Sequence, residues 1–160
     1  MNPALVDALR ASRLAIELTD EQTRSLAERL SFRDLNHGDV LVPEGTSDNH
    51  LYVIVSGALS VVRNAGTADA VTLFTLTQGD LVGELSFLDE TKHFATLVAA
   101  GPTRVFGLER EDLEALLPVE PQLVYRVMRA IVRTVHEIQR RLSMQSVELA
   151  NYMYKQHGRY

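Results

Sequence analysis

Apolar and polar positions change their period twice along this chain, and each change marks a different kind of element. Residues 1–30 read as helical. Asn2 before Pro3 is an N-cap followed by proline at the first helical position, where an N–H is not needed. Thr19-Asp20-Glu21-Gln22 has the capping-box form, with a hydroxyl at the cap and an amide side chain three residues on. Leu26, Ala27 and Leu30 supply an apolar stripe. From 31 to 108 the period shortens. β-Rich runs appear at Val40–Val42, Leu51–Val55, Leu59–Val62, Val71–Leu76, Ala95–Val98 and Arg104–Leu108. Turn signals lie between them: Asn36-His37-Gly38-Asp39, Pro43-Glu44-Gly45, Ser56-Gly57, Asn64-Ala65-Gly66, Gln78-Gly79-Asp80 and Gly101-Pro102. Short strands at this spacing predict a sandwich, roll or barrel, and the lack of strand–helix alternation argues against a doubly wound parallel sheet.

The helical period returns after residue 109. Arg110–Leu117 predicts a short acidic helix stopped by Pro118, and Pro121 opens a long helix to about Leu149. Its apolar positions fit a heptad: Val124, Ile131, Ile138 and Gln145 at a, with Met128, Val135, Leu142 and Leu149 at d. β-Branched residues at a with leucine at d favour two parallel strands, so a homodimer through this helix is expected. Leu123, Val127, Ala130 and Thr134 form an adjacent face that can pack on the β-rich body. The competing reading is one long helix lying on its own roll. The chain therefore divides into residues 1–118 (helices, roll and short helix), 119–149 (long helix) and 150–160 (a basic and aromatic tail).

Composition narrows the chemistry. With 160 residues, 46% hydrophobic and 23% charged, this is an ordinary globular chain. It has no cysteine, which removes disulfides, thiolate metal sites and cysteine nucleophiles and suits a reducing cytoplasm. The net charge is −5, with the acidic excess in residues 1–119 and a basic balance in 120–160. Such a chain is a poor general nucleic-acid binder. No run approaches 18 apolar residues, so no membrane span is expected, and the N-terminus lacks the apolar core of a secretory signal.

The run Gly38-Asp39-Val40-Leu41-Val42-Pro43-Glu44-Gly45, then Leu51-Tyr52-Val53-Ile54-Val55-Ser56-Gly57, and then Gln78-Gly79-Asp80-Leu81-Val82-Gly83-Glu84-Leu85-Ser86-Phe87 resembles the cyclic nucleotide-binding domain family, which includes the catabolite activator protein and protein kinase A regulatory subunits. The resemblance covers about Leu18 to Leu142. It implies a mainly β fold, an eight-stranded β-roll with flanking helices and a long C-terminal helix. It also implies a phosphate-binding cassette over Gly83, Glu84, Leu85, Ser86, His93, Phe94 and Ala95, with a cyclic nucleotide as ligand. A short helix just after Gly83 offers free N–H groups to an anion. By the resemblance, Glu84 stands where the family accepts a ribose hydroxyl.

The chain departs from the family ten residues after Gly83. An arginine is expected there, followed by a small residue; this sequence has His93 and Phe94. Arginine gives a fixed charge and two parallel bonds to phosphate, and a neutral histidine gives one bond and no charge. Losing charge-assisted bonds of about 1.5–3 kcal/mol each weakens cyclic AMP binding by roughly ten- to several-hundred-fold. Asp80, Glu84, Asp89 and Glu90 oppose only Lys92 nearby. Three readings of His93 compete: a weak phosphate donor that strengthens on protonation, a partner of Glu84 filling the pocket, or a solvated bystander. Phe94 reads either as a core aromatic or as a plug, and Glu84 either as a ligand acceptor or as a carboxylate capping the short helix.

Enzyme and metal motifs are missing. The five histidines never form the His-x-His pair of a metal cupin, and no Gly-x-Ser-x-Gly, His-Glu-x-x-His or phosphate-loop lysine occurs. About 11 residues follow Leu149, too few for a helix-turn-helix, so sequence-specific DNA reading is not expected. A haem-sensing variant with a histidine ligand is a further, thinner reading. Two classes fit best. One is a non-enzymatic regulator that senses a cyclic nucleotide or related small anion and signals through the long helix. The other is a degenerate, ligand-free dimeric scaffold for protein partners. The first predicts an open pocket beside Glu84; the second predicts His93 or Phe94 packed into it.

Overall fold

Strand residues here divide strictly by parity, and that division sets the architecture. In β3 (His50–Ser56), Leu51 and Val53 point into one apolar cluster while Tyr52 and Ile54 point into another. In β8 (Thr103–Glu109), Phe106 and Leu108 join the first cluster and Val105 the second. A sheet buried on both faces reads as a continuous apolar run, which is how Leu51–Val55 looks in the sequence. β3 and β8 are the inner strands of a four-stranded antiparallel sheet, completed by β1 (Leu30–Leu35) and β6 (Leu81–Val82), in the order β1-β8-β3-β6. The second sheet runs β2-β7-β4-β5, from β2 (Val40–Val42), β7 (Thr96–Ala99), β4 (Ala58–Arg63) and β5 (Val71–Thr77). The two sheets enclose Tyr52, Ile54, Leu59, Val61, Val82, Leu97 and Val105, the inside of the roll.

The outer face of the first sheet is covered by helices: α1 (Pro3–Arg10), a 3-10 turn at Arg13–Ala15, α2 (Asp20–Ala27), α4 (Arg110–Leu116) and α5 (Pro121–His157). Asn2 accepts from the Ala4 N–H at 3.0 Å, and the Thr19–Gln22 capping box is complete in both directions, as their residue types require. Leu9, Leu14, Leu26, Leu123, Val127 and Ile131 are fully buried where these helices meet the sheet. A turn at Ser56-Gly57 joins β3 to β4 with Gly57 at φ +84°. A Cβ there would stand 2.4 Å from the Pro102 carbonyl oxygen, so only glycine fits.

This computed structural model describes residues 2–157, with the side chains of Leu85, Ile138 and most positions from Arg141 onward outside the description. The eight-stranded roll agrees with the sequence expectation. β1 and β6 are strands the pattern did not reveal. α5 also continues past Leu149 to His157.

The largest correction concerns α5. Val124 and Ile131, expected on a dimer face, are buried in the chain's own helical cluster, Ile131 to 0% exposure. Met128 and Val135 are partly buried against the same cluster, together with buried Leu123, Val127, Ala130 and Thr134. A helix lying in a trough of sheet and helices buries a stripe wider than a two-position heptad seam. Among the described side chains, the large apolar residues that α5 leaves open are Tyr125 and Val132, seven apart, and Met144 beyond them. Ile138 and Leu142, also expected on that face, lie outside the described side chains.

Polar groups fasten the adjoining edge of α5 to the N-terminal segment. Glu120 accepts from the Ser25 hydroxyl, Arg126 donates to Gln22 at 2.9 Å, and Arg129 and Arg133 lie 3.2 and 3.5 Å from the two oxygens of Glu17. Arg13 reaches Glu137 at 2.8 Å.

Candidate functional site

The site is built where β6 ends. β6 pairs antiparallel with β3 through Tyr52–Val82 and Val53–Leu81, which brings the next residue, Gly83, beside the carbonyl oxygen of His50. Gly83 caps α3 (Glu84–Asp89) at φ +81°, a left-handed conformation open to glycine at little cost. A Cβ on it would lie 3.1 Å from that oxygen and 3.8 Å from Cε1 of His93. The glycine thus serves the turn and leaves room for the histidine ring.

Glu84 is the first residue of α3 and is half-buried. Burial pushes its carboxyl above the usual carboxylate value, and its own backbone N–H only partly opposes this. No other described residue donates to it. Ser86 is buried, and its hydroxyl donates to the Asp48 carbonyl at 2.7 Å and accepts the Asp48 N–H at 2.5 Å. Its side chain thus ties α3 to the loop before β3. Leu85 lies outside the described side chains.

His93 is held by its backbone. Its N–H donates to Thr46 at 2.7 Å and its carbonyl accepts from Gly45 at 2.8 Å, so the turn after β2 positions it. Its ring lies against Gly83, and Nε2 is buried with no hydrogen-bond partner. Desolvation lowers its pKa, against an opposing pull from the Asp48 charge. No hydrogen bond joins the ring to Glu84 and Nε2 is not solvated, while the ring's place beside Gly83 is compatible with its filling space there. Phe94 fits neither of its readings. It is 57% exposed, so it is not a core aromatic and does not plug the roll. Its backbone carbonyl accepts from Arg63, whose guanidinium also lies 4.0 Å from Glu44. Ala95 is buried inside the roll.

Three further features lay beyond sequence reasoning. Asp48, His50 and Tyr52 form a polar ladder at the start of β3. His50 Nδ1 is 2.8 Å from Asp48 Oδ1, its ring stacks on Tyr52 at 5.5 Å, and the Tyr52 hydroxyl donates to Asp48 at 3.4 Å. Their alternate spacing along a strand was the available signal. Arg110 opens α4 and reaches back to α3, with Glu90 at 3.0 Å and the Phe87 carbonyl at 3.5 Å. It lines a cleft of about 290 Å3 with Ser47, Asp48, Asn49 and Glu90. Phe74 pairs with Val61 and shares its inward-facing parity, yet is 46% exposed on the edge strand β5.

Among the described residues no group of His, Asp or Glu is arranged to hold a metal ion. The region around Gly83 offers the Glu84 carboxylate at the start of α3 and the unpartnered Nε2 of His93. Comparison with known proteins decides the lineage: the cyclic nucleotide-binding domain family matches residues 32–118. The chain belongs to that family. It is similar to the cyclic AMP receptor protein of Thermus thermophilus, at 31% identity over 71% of this chain and 52% of that one. It also matches the N-terminal domain of a transcriptional regulator from Streptomyces coelicolor A3(2), with TM-score 0.70, 30% identity and coverage of 82% and 94%. A third match is the regulatory subunit of a cAMP-independent protein kinase A from Trypanosoma brucei, with TM-score 0.69, 25% identity and coverage of 84% and 45%. The chain spans about half the length of the first curated relatives it matches. These relatives are regulators, and no helix among the described residues is long and apolar enough to cross a membrane.

Proposed function

We propose that this chain is a non-catalytic, cytoplasmic regulatory module in which a small ligand enters the open end of the roll, meets Glu84 and His93, and shifts α5. Cyclic AMP binding is weakened in it. The observation that carries this is His93 at the family's phosphate position: a buried, unpartnered Nε2 beside Gly83. Buried polar atoms without partners are rare, and a ligand atom would complete this one. Kinship with a subunit described as cAMP-independent agrees with it. Titration calorimetry with cyclic AMP and cyclic GMP on the native chain and on His93→Arg/Phe94→Ala tests it. The double variant, regaining the guanidinium, should bind at least tenfold tighter than the native chain. Equal affinities would remove His93 from the site.

A second reading, a ligand-free scaffold, draws on the same His93 ring, which takes up space beside Gly83. In either reading a second copy pairs along α5, through Tyr125 and Val132 with Met128 and Val135 between them. Val132→Glu should then shift a dimer to monomer in analytical ultracentrifugation, and an unchanged mass would sink that seam.

A further inference from the structure

His50 stands at a joint between the loop before β3 and the root of α4. It pairs across the sheet with Glu109, the last residue of β8 and the N-cap of α4. Its carbonyl oxygen lies beside Gly83, which Glu84 follows. Its ring stacks on Tyr52, whose own ring lies over Gly107, where a Cβ would crowd it at 3.1 Å. Two carboxylates flank the His50 ring. Nδ1 is 2.8 Å from Asp48 Oδ1, and Nε2 is 3.5 Å from Glu109 Oε1. A carboxylate only accepts, so Nδ1 carries the proton that meets Asp48. A neutral ring then turns the lone pair of Nε2 toward Glu109, acceptor against acceptor. A protonated ring has an N–H on each nitrogen and answers both acids. The other charged groups nearby are directed elsewhere. Arg33 of β1 acts on the Tyr52 hydroxyl, with a sign opposite to that of Asp48. Arg110 is shared among Glu90, Glu111 and Glu114 at 3.0, 3.9 and 3.5 Å. His93 also feels the Asp48 charge.

We infer that His50 is a proton-operated latch: when protonated it bridges Asp48 and Glu109, and so fastens the loop before β3 to the start of α4. That loop organises the cassette. Gly45 and Thr46 seat His93, and the Asp48 backbone holds Ser86 of α3. The Asn49 carbonyl accepts the Arg110 N–H at 2.8 Å, so the same loop already touches α4. Mild acid therefore draws α3 and the root of α4 together, and deprotonation loosens the joint between them. The latch needs no ligand, so its failure leaves the sensor reading standing.

An imidazole ordinarily changes charge near pH 6.5, and the test compares pH 5.5 with pH 8.0. Melting temperatures are measured without ligand on the native chain, Glu109→Gln, His50→Gln and the double variant. The Nε2–Glu109 bond exists only in the folded, protonated chain, so its contribution is present at pH 5.5 and lost as pH rises. Both side chains are partly in water, so Glu109→Gln should lower the melting temperature by about 2–4 °C more at pH 5.5 than at pH 8.0. In the His50→Gln background the same substitution should have one effect at both pH values. Hydrogen exchange, corrected for the intrinsic rate at each pH, gives a second readout. The Arg110 amide should exchange about fivefold more slowly at pH 5.5 in the native chain, and at one corrected rate in Glu109→Gln. An effect of Glu109→Gln that does not grow toward pH 5.5, or that grows equally without His50, overturns the inference. So does an Arg110 amide whose corrected rate ignores pH.

Discussion

The two apolar clusters on either side of the first sheet are built from the same strands and end differently. On the helical side, Leu9, Leu14, Leu26, Leu123, Val127 and Ile131 are sealed under four helices. Inside the roll, Leu59, Ile54 and Val105 are as deeply buried, but the cluster runs out toward half-buried Leu76 and half-open Phe74. One cluster is covered by helices and the other thins toward β5, where only Leu76 is partly buried. The two sides are linked round the sheet by Ser86, which ties α3 to the loop before β3, and by Arg110, which ties α4 back to α3.

Substitutions can break or sharpen this contrast. The largest effect belongs to the sealed side. Phe106→Ala should cost about 3–5 kcal/mol, a fall of roughly 6–20 °C in melting temperature by calorimetry. A loss no larger than that of Phe74→Ala would erase the distinction. Ser86→Ala comes next, because it strips both bonds from the Asp48 backbone. Urea unfolding should show a loss of about 1–3 kcal/mol. Phe74→Ala should cost less than about 1 kcal/mol, since the ring is already half in water, while lowering affinity for any ligand found.

The smallest effect is a pH slope. The folded His93 has a pKa below its ordinary 6.5, so it favours the fold in its neutral form. That contribution is full above pH 6.5 and is lost as pH falls through the lowered value. Glu84 is shifted upward from 4.5, so its effect has the other sense: stability is lost as pH rises from 4.5 through its folded value. Melting curves of the native chain and His93→Gln between pH 7.5 and 5.5 should converge or cross as pH falls. Parallel curves would place the ring in solvent.

Much of this was legible because it is local. Caps, turn glycines and six of the eight strands follow from neighbours within a few residues. β1 was hidden by Arg33 and Asp34 in mid-strand. Its outer face carries polar groups, with Asp34 paired to Arg104 on β8 at 2.7 Å, a cross-strand contact that no short window reveals. β6 was too short, at two residues, to show a period. The long helix misled because a heptad and a broad packing face both include Val124 and Ile131, and only the trough beneath decides between them. The cassette glycine and acid were readable by resemblance. The setting of His93 was not, since Gly45, Thr46 and Asp48 create it from across the chain.

β5 has a consequence for handling the protein. It is a terminal strand of its sheet, and Val71–Thr77 reads Val-Thr-Leu-Phe-Thr-Leu-Thr, seven residues with no charge, proline or glycine. Val71, Leu73 and Phe74 are all exposed on it. Natural edges usually carry a lysine, a bulge or a proline to discourage strangers from pairing. This one is guarded only by the bulge against β4 and by acids outside the strand, Asp69 and Asp80. When the protein is concentrated or refolded, this ribbon is where neighbouring chains would zip together into aggregates, and a single lysine at Leu73 would be the gatekeeper it lacks.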